Sequence, residues 1–214
     1  MTAPIEQRKT GTTLVGVVAK DGIVIAADRR ASLGGRIVAK KDTHKVLQIT
    51  DDLVLATAGN VSDIQMNIKV IKAQLKLLEL RRGKKASTTE AANLLSNMLF
   101  GNIRRSYIFP SIAAFLLGGR DEEGVHLYQA DPDGTLVKHE DYIADGSGMF
   151  FALGSLESNY KPNMNMNDAV KLAIQAVQAA IERDTASGNG IDVMTITKNG
   201  VEHVYQKQLS MSLQ

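Results

Sequence analysis

The chain of 214 residues carries 25 basic and 23 acidic side chains, a formal net charge of +2, and no cysteine. This length suits one sizeable domain, and the nearly balanced charge favours neither nucleic acid nor a membrane surface as a partner. The lack of cysteine excludes disulfides, thiolate metal sites and a cysteine nucleophile, and it fits a reducing compartment.

The first eleven residues, Met1 to Gly11, contain charged side chains and few apolar ones. They therefore lack the apolar centre of a secretory signal. No run of about 18 apolar residues occurs further along the chain, so the sequence predicts no membrane-spanning helix. Together these features predict a cytoplasmic protein.

Runs rich in β-branched residues predict strands over the first 60 residues. Leu14–Val18 and Ile23–Ala27 flank Asp21-Gly22, a strong signal for a β-hairpin. Further short runs, broken by Gly34-Gly35 and Asp51-Asp52, occur at Arg36–Ala39, Lys45–Ile49 and Leu53–Thr57. We expect these strands to build up one antiparallel sheet.

Two consecutive helices follow, because the apolar period changes to three and four residues. The stripe of the first helix consists of Ile64, Ile68, Ile71, Leu75 and Leu78. Ser62 could cap this helix, and Gly83 could end it. Ser87 and Glu90 have the spacing of a capping box before a second stripe at Ala91, Leu94, Leu95, Met98 and Leu99.

Strands return after Pro110 and are followed by two helices and a closing hairpin. The predicted strands are Pro110–Gly119, Val125–Ala130 and Leu136–Ile143. Phe150–Ser158 predicts a short helix, and a longer one marked by Val170, Ile174, Val177 and Ile181 ends near Gly188. Ile191–Thr197 and Val201–Tyr205 form a hairpin about Asn199-Gly200. This order favours an α+β fold over alternating βαβ units, with no repeat or linker to divide the domain.

Motifs for several other functions are missing. No glycine-rich phosphate loop or dinucleotide turn occurs, and the scattered histidines lack metal-ligand spacing, so we expect no cofactor and no metal. The four histidines are His44, His126, His139 and His203. The densest basic cluster reads as a solvated helix end rather than a nucleic-acid patch; its members are Arg81, Arg82, Lys84 and Lys85.

A short polar leader runs directly into a strand that begins with threonine, at Gly11-Thr12-Thr13. Alone, this pattern indicates only a frayed terminus before a threonine-rich strand. It resembles the start of proteasome β subunits, however, and further segments follow in that family's order. These segments are Ala26–Ser32, Lys45, Ala56–Gly59, Asp145–Gly148 and Arg183–Asp192. The resemblance spans nearly all of the chain from Gly11 to Tyr205, and it is closest to archaeal β subunits.

The resemblance implies a four-layer α-β-β-α sandwich of two antiparallel sheets, the fold of N-terminal-nucleophile hydrolases. It implies that residues 1–11 are a propeptide removed by self-cleavage between Gly11 and Thr12, and that residues 12–214 form a single peptidase domain. Thr12 would be the nucleophile of a threonine endopeptidase. A free α-amino group, with a pKa of about 7.7 to 8.0, can take the hydroxyl proton, whereas the amide formed with Gly11 cannot.

The same resemblance assigns Lys45 and Asp28 to the side of the nucleophile. The Lys45 ammonium would favour the alkoxide of Thr12, and Asp28 would hold that lysine. Alternatively, Asp28-Arg29 is a plain surface ion pair and Lys45 a solvated strand lysine. The chain is one residue longer than some relatives around Gly34-Gly35, so Lys45 rather than His44 is aligned, through Lys45-Val46-Leu47-Gln48.

The remaining site residues also follow from the resemblance. Gly59 matches the backbone donor to the oxyanion, although it could be an ordinary turn glycine. Ser147, Asp184 and Ser187 match the groups that orient Thr12 and carry protons, although Asp184 could simply follow a helix. A small neutral pocket that favours cleavage after apolar residues would be lined by Ala31, Thr57 and Val61.

The implied partners are a homo- or heteroheptameric β ring, a second stacked β ring, α subunits, and an ATPase ring that feeds in unfolded polypeptides. Two other functions stay open. One is a structural β-type subunit that never matures. The other is a stand-alone amidase that uses the same nucleophile on a small molecule and is active as a monomer.

Overall fold

The computed structural model describes residues 11–105 and 110–208, which form twelve strands and four helices. The strands are β1 (Thr13–Ala19), β2 (Gly22–Asp28), β3 (Ala31–Leu33), β4 (Ile37–Lys40), β5 (Val46–Thr50), β6 (Leu53–Gly59), β7 (Ala113–Asp121), β8 (Gly124–Ala130), β9 (Leu136–His139), β10 (Tyr142–Gly146), β11 (Gly190–Thr197) and β12 (Gly200–Gln208). The helices are α1 (Val61–Arg82), α2 (Thr88–Arg104), α3 (Met149–Asn159) and α4 (Met166–Ile181).

The strands form two five-stranded antiparallel sheets and one small hairpin. The first sheet has the order β10-β1-β2-β11-β12, and the second has the order β5-β6-β7-β8-β9. The hairpin pairs β3 with β4 outside both sheets. The expectation of one sheet over the first 60 residues is therefore wrong, since β1 and β2 join one sheet while β5 and β6 join the other.

Four layers result, because each sheet alternates its side chains between a helix pair and the other sheet. In β1, Val15 packs with α3 and α4, whereas Leu14 faces the second sheet. In β6, Leu55 packs with α1 and α2, whereas Val54 faces the first sheet. The predicted α-β-β-α sandwich is confirmed.

The helix ends agree with the sequence in part. Gly83 ends α1 in a left-handed conformation with φ of 66°, as predicted. The residue at the start of α1 is Asn60 rather than Ser62, which lies inside the first turn. Ser87 and Glu90 form the predicted capping box, with their side chains and backbone amides 3.0 to 3.1 Å apart.

Two predicted elements have different bounds in the structure. The run Leu136–Ile143 is divided into β9 and β10, which belong to different sheets. Helix α4 ends at Ile181, well before Gly188, and residues 182–189 form a loop instead. That loop returns toward the start of β1, and it carries two of the predicted site residues.

The basic cluster at the end of α1 forms exposed ion pairs. Lys85 Nζ lies 2.7 Å from Oδ2 of Asp52, and Arg82 Nη1 lies 2.7 Å from Oε1 of Glu90. Exposed pairs of this kind contribute little to stability. In the part of the chain that the structure describes, no helix has both the length and the apolar character needed to cross a membrane.

Candidate active site

Thr12 lies directly before β1 and is almost completely buried. Its hydroxyl donates a hydrogen bond to the carbonyl oxygen of Gly11 at 2.6 Å. The amine of Lys45 lies 3.1 Å from the same hydroxyl and 3.2 Å from the Gly11 carbonyl oxygen. A hydroxyl, an amine and a peptide carbonyl therefore meet at one point.

Lys45 and Asp28 reach this point from different sheets. Lys45 directly precedes β5 of the second sheet, and Asp28 ends β2 of the first. The amine donates to Oδ1 of Asp28 at 2.7 Å. Burial lowers the pKa of Lys45 below its ordinary value of 10.5, and the charges of Asp28 and Asp184 only partly oppose that effect.

The Asp28 carboxylate is fully buried and is surrounded by hydrogen-bond donors. Besides Lys45, it accepts bonds from the backbone amides of Thr13 at 2.9 Å, Arg30 at 3.0 Å and Gly188 at 2.9 Å. Four donors on two oxygens fix the carboxylate in one orientation. The alternative of a surface ion pair with Arg29 is wrong.

Arg29 points elsewhere and pairs with two other carboxylates. It contacts Asp42 and lies 3.2 Å from the buried Asp192. His44 also contacts Asp192, at 3.1 Å. The structure thus brings Lys45, rather than its neighbour His44, to Thr12. The alternative of a solvated strand lysine is wrong as well, because Lys45 is buried.

A second set of polar groups lies on the other side of Thr12. Ser147, between β10 and α3, accepts a hydrogen bond from the backbone nitrogen of Thr12 at 3.2 Å. Its own hydroxyl lies 2.5 Å from Oδ2 of Asp184, in the loop after α4. The Ser187 hydroxyl lies 2.6 Å from the same oxygen.

Proton counting orients this network. A serine hydroxyl has one proton to donate. If Ser147 and Ser187 both donate to Asp184, then Ser187 must accept from the Thr13 hydroxyl, which lies 2.8 Å away. The chain of bonds runs from the Thr12 nitrogen through Asp184 to Thr13.

Gly59 ends β6 with φ of 125°, a conformation that favours glycine. A Cβ atom at this position would lie 2.3 Å from the carbonyl oxygen of Ile112. Ile112 is itself held in place, since its carbonyl accepts from the Asn60 amide at 2.8 Å and its amide donates to Asp63 at 2.9 Å. The backbone around Gly59 is therefore fixed, and its role as oxyanion donor stays a prediction.

The predicted pocket residues lie in three separate elements. Ala31 begins β3, Thr57 is buried in β6, and Val61 begins α1 with 58% of its surface exposed. A cavity of about 760 Å³ lies elsewhere, between the end of α1 and the β7–β8 turn, and none of the predicted site residues lines it. The pocket assignment stays a prediction.

Three contacts of the site were given no role by sequence analysis. Arg30 donates to the carbonyl of Thr185 at 2.6 Å and to the side chain of Asn189 at 2.8 Å, which ties down the loop after α4. Ser32 accepts a hydrogen bond from the Gly11 amide at 3.1 Å. Both residues belong to the segment Ala26–Ser32. The place of that segment in the order of the family's motifs was the signal in the sequence that could have identified them.

The third contact is the packing of Ala186 against Gly11. A Cβ atom on Gly11 would lie 2.0 Å from the Ala186 side chain.

Among the described residues, no three histidine, cysteine, aspartate or glutamate side chains are grouped so that they could hold a metal ion.

Comparison with known proteins gives one consistent result. The family model described as "Proteasome subunit" matches residues 8–196. The chain is 42% identical to "Proteasome subunit beta" of Nanoarchaeum equitans over 194 residues, 91% of this chain and 97% of the relative. It is 42% identical to "Proteasome subunit beta" of Archaeoglobus fulgidus over 190 residues, 88% and 86% of the two chains. It is also 42% identical to "Proteasome subunit beta 1" of Thermococcus sibiricus over 203 residues, 95% of each chain.

Proposed function

The chain belongs to the proteasome subunit family as a β-type subunit, and from that premise we propose that it is a threonine endopeptidase that cuts itself between Gly11 and Thr12. The family is one of proteases, and its subunits assemble into a multisubunit core with α subunits. The observation that carries the proposal is the contact of the Thr12 hydroxyl with both the Gly11 carbonyl and Lys45.

Self-cleavage begins with attack of the Thr12 oxygen on the Gly11 carbonyl carbon. The Thr12 hydroxyl turns its proton from the Gly11 carbonyl oxygen to the amine of Lys45, which takes it. Burial lowers the pKa of Lys45 and so increases the fraction of amine that is neutral and able to accept the proton. The resulting ammonium stays paired with Asp28 and stabilises the negative oxygen. The proton then passes from the Lys45 ammonium to the Thr12 nitrogen, which breaks the peptide bond and leaves an ester between the Gly11 carbonyl and the Thr12 oxygen.

Water hydrolyses this ester, which releases the Gly11 carboxylate and restores the hydroxyl. The freed α-amino group of Thr12 is the base for substrate cleavage. In the uncut chain its nitrogen donates to the Ser147 oxygen at 3.2 Å. Asp184 and Ser187 support this arrangement, and the Gly59 amide serves as the oxyanion donor. Each substrate passes through an acyl-ester on Thr12.

The finer assembly is also part of the proposal. Residues 1–11 act as a propeptide, and residues 12–214 form the peptidase domain. Seven β-type subunits form a ring that stacks on a second β ring between α rings, and an ATPase ring feeds unfolded polypeptides into the cytoplasmic particle. A pocket with Ala31, Thr57 and Val61 favours cleavage after apolar residues.

The test is the intact mass of the chain after mixing with the α subunits, beside a Thr12→Ala control. Loss of residues 1–11 from the wild type alone supports the proposal. An uncut wild-type chain inside a complete particle would instead favour the non-maturing structural subunit. A panel of fluorogenic peptides tests the pocket, and fastest cleavage after arginine or glutamate would contradict the apolar preference.

A further inference from the structure

Gly11 is held at both of its backbone polar groups. Its amide donates to the Ser32 hydroxyl at 3.1 Å, and its carbonyl oxygen accepts from Lys45 at 3.2 Å. Its Cα packs against Ala186 so closely that a side chain would not fit. The residue before the proposed cleavage site is therefore bound on three sides.

Ser32 reaches Gly11 from an unusual place. It lies in β3, in the two-stranded hairpin that is separate from both sheets. The base of this hairpin is anchored, because the Thr43 amide donates to the carbonyl of Arg29 at 3.0 Å. Arg29 follows the Asp28 carboxylate directly, so the hairpin and the catalytic pair share one short stretch of chain.

The hydrogen bond from the Gly11 amide to Ser32 restricts the backbone next to the proposed cleavage site. Glycine has more backbone freedom than any other residue, so a Gly11 held only through its carbonyl could still rotate its peptide planes. An intramolecular attack depends steeply on geometry, and small misplacements of the reacting atoms cost large factors in rate. A second hydrogen bond on the amide removes the remaining rotation.

We propose that Ser32 binds the substrate of the self-cleavage step, and that its hydroxyl fixes Gly11 with the carbonyl carbon presented to the Thr12 oxygen. This inference rests on the proposed function, since it requires that the Gly11-Thr12 bond be cut. Because Gly11 leaves with the released segment, the contact exists only before the cut. Ser32 therefore serves maturation through its side chain, and the self-cleavage step is the one in which this contact is measured.

The test compares Ser32→Thr with Ser32→Val, two side chains of the same shape that differ in one hydroxyl. Each full-length chain is mixed with the α subunits, and the rate of loss of residues 1–11 is followed by intact mass. We expect the Thr variant to cut itself about tenfold faster than the Val variant, the effect of one hydrogen bond. The Thr variant, which keeps the hydroxyl, should cut itself at close to the wild-type rate.

Ser96→Ala is the matched control, because Ser96 is a partly buried serine whose hydroxyl donates to the Gly134 carbonyl, in the helix layer on α2. Equal cutting rates for the Thr and Val variants would overturn the inference. A wild-type chain that stays uncut would overturn the proposed function and the inference with it. Variants that cut at equal rates would overturn the inference alone, so the two failures can be told apart.

Discussion

The amine of Lys45 lies 2.7 Å from Oδ1 of Asp28, and both side chains are buried where the two sheets meet. Desolvating two charges is costly, and removing one partner of such a pair leaves the other uncompensated. The pair therefore holds the two sheets together and also takes part in the proposed chemistry.

Lys45→Ala should stop self-cleavage and destabilise the subunit. Loss of the proton acceptor is expected to lower the cutting rate by about 10²- to 10⁴-fold, and the unpaired Asp28 should cost about 3 to 5 kcal/mol of unfolding free energy. Intact mass measures the first effect, and denaturant unfolding measures the second. Adding Asp28→Asn to Lys45→Ala should recover only part of the stability and none of the cutting, because the asparagine NH2 group would face the Thr13 backbone amide, which is also a donor. Cutting by the single variant at the wild-type rate would exclude Lys45 as the base.

The rate of self-cleavage should rise with pH up to the lowered pKa of Lys45 and level off above it. Burial lowers the pKa of Lys45 below 10.5, so the neutral amine forms at lower pH than it would on an exposed lysine, and raising the pH increases its fraction. The free energy of unfolding should also rise with pH between the lowered pKa of the folded state and 10.5. In that range the unfolded chain keeps the lysine proton that the folded chain has lost. A cutting rate that is flat with pH would contradict this assignment.

Asp184→Asn should move that pH profile to lower pH. The Asp184 charge is one of the influences that raise the pKa of Lys45, so removing it lowers this pKa further. The asparagine oxygen can still accept from Ser147 or Ser187, which keeps part of the network. Cutting rates measured over a pH series give the midpoint, and an unchanged or higher midpoint would disprove the electrostatic coupling.

Gly11→Ala should block self-cleavage. The new Cβ atom would lie 2.0 Å from the Ala186 side chain and 2.3 Å from the Ala186 carbonyl oxygen, so residue 11 must move away from Thr12. Adding Ala186→Gly should not restore cutting, because the backbone carbonyl remains. Gly101→Ala in α2 is the control, since its Cβ would meet open space. Efficient cutting of the Gly11→Ala chain, measured by intact mass, would show that this packing does not matter.

Ser87→Ala should weaken the fold without touching the chemistry. It removes the capping box of α2, a change that costs about 0.5 to 2 kcal/mol. Chemical unfolding should show this loss, while the cutting rate of assembled subunits stays at the wild-type value. A much slower cut would indicate that the α1–α2 layer is coupled to Thr12.

Sequence patterns predicted the local elements well and their partners less well. The helix stripes and the capping box depend on residues within a few positions of one another, and both were correct. Which sheet a strand joins depends on distant packing, so the separation of β1–β2 from β5–β6 was not predicted. The early end of α4 has the same cause, because Arg30 holds the following loop through tertiary contacts.

The candidate site shows the same division. Resemblance singled out Thr12, Asp28 and Lys45, and the structure brings these side chains into contact. Ser32 lay within a recognised segment, but no local rule states that a side chain on a detached hairpin will meet Gly11. That contact depends on the path of the chain through the whole domain.

The bond between the Thr12 nitrogen and Ser147 has one more consequence. The nitrogen already lies 3.2 Å from the serine oxygen while it is still part of a peptide bond. Cutting before Thr12 would convert this nitrogen from an amide to an amine without moving it. Activation would then need no rearrangement of the fold, and the onset of activity should follow bond breakage immediately, with no lag for refolding.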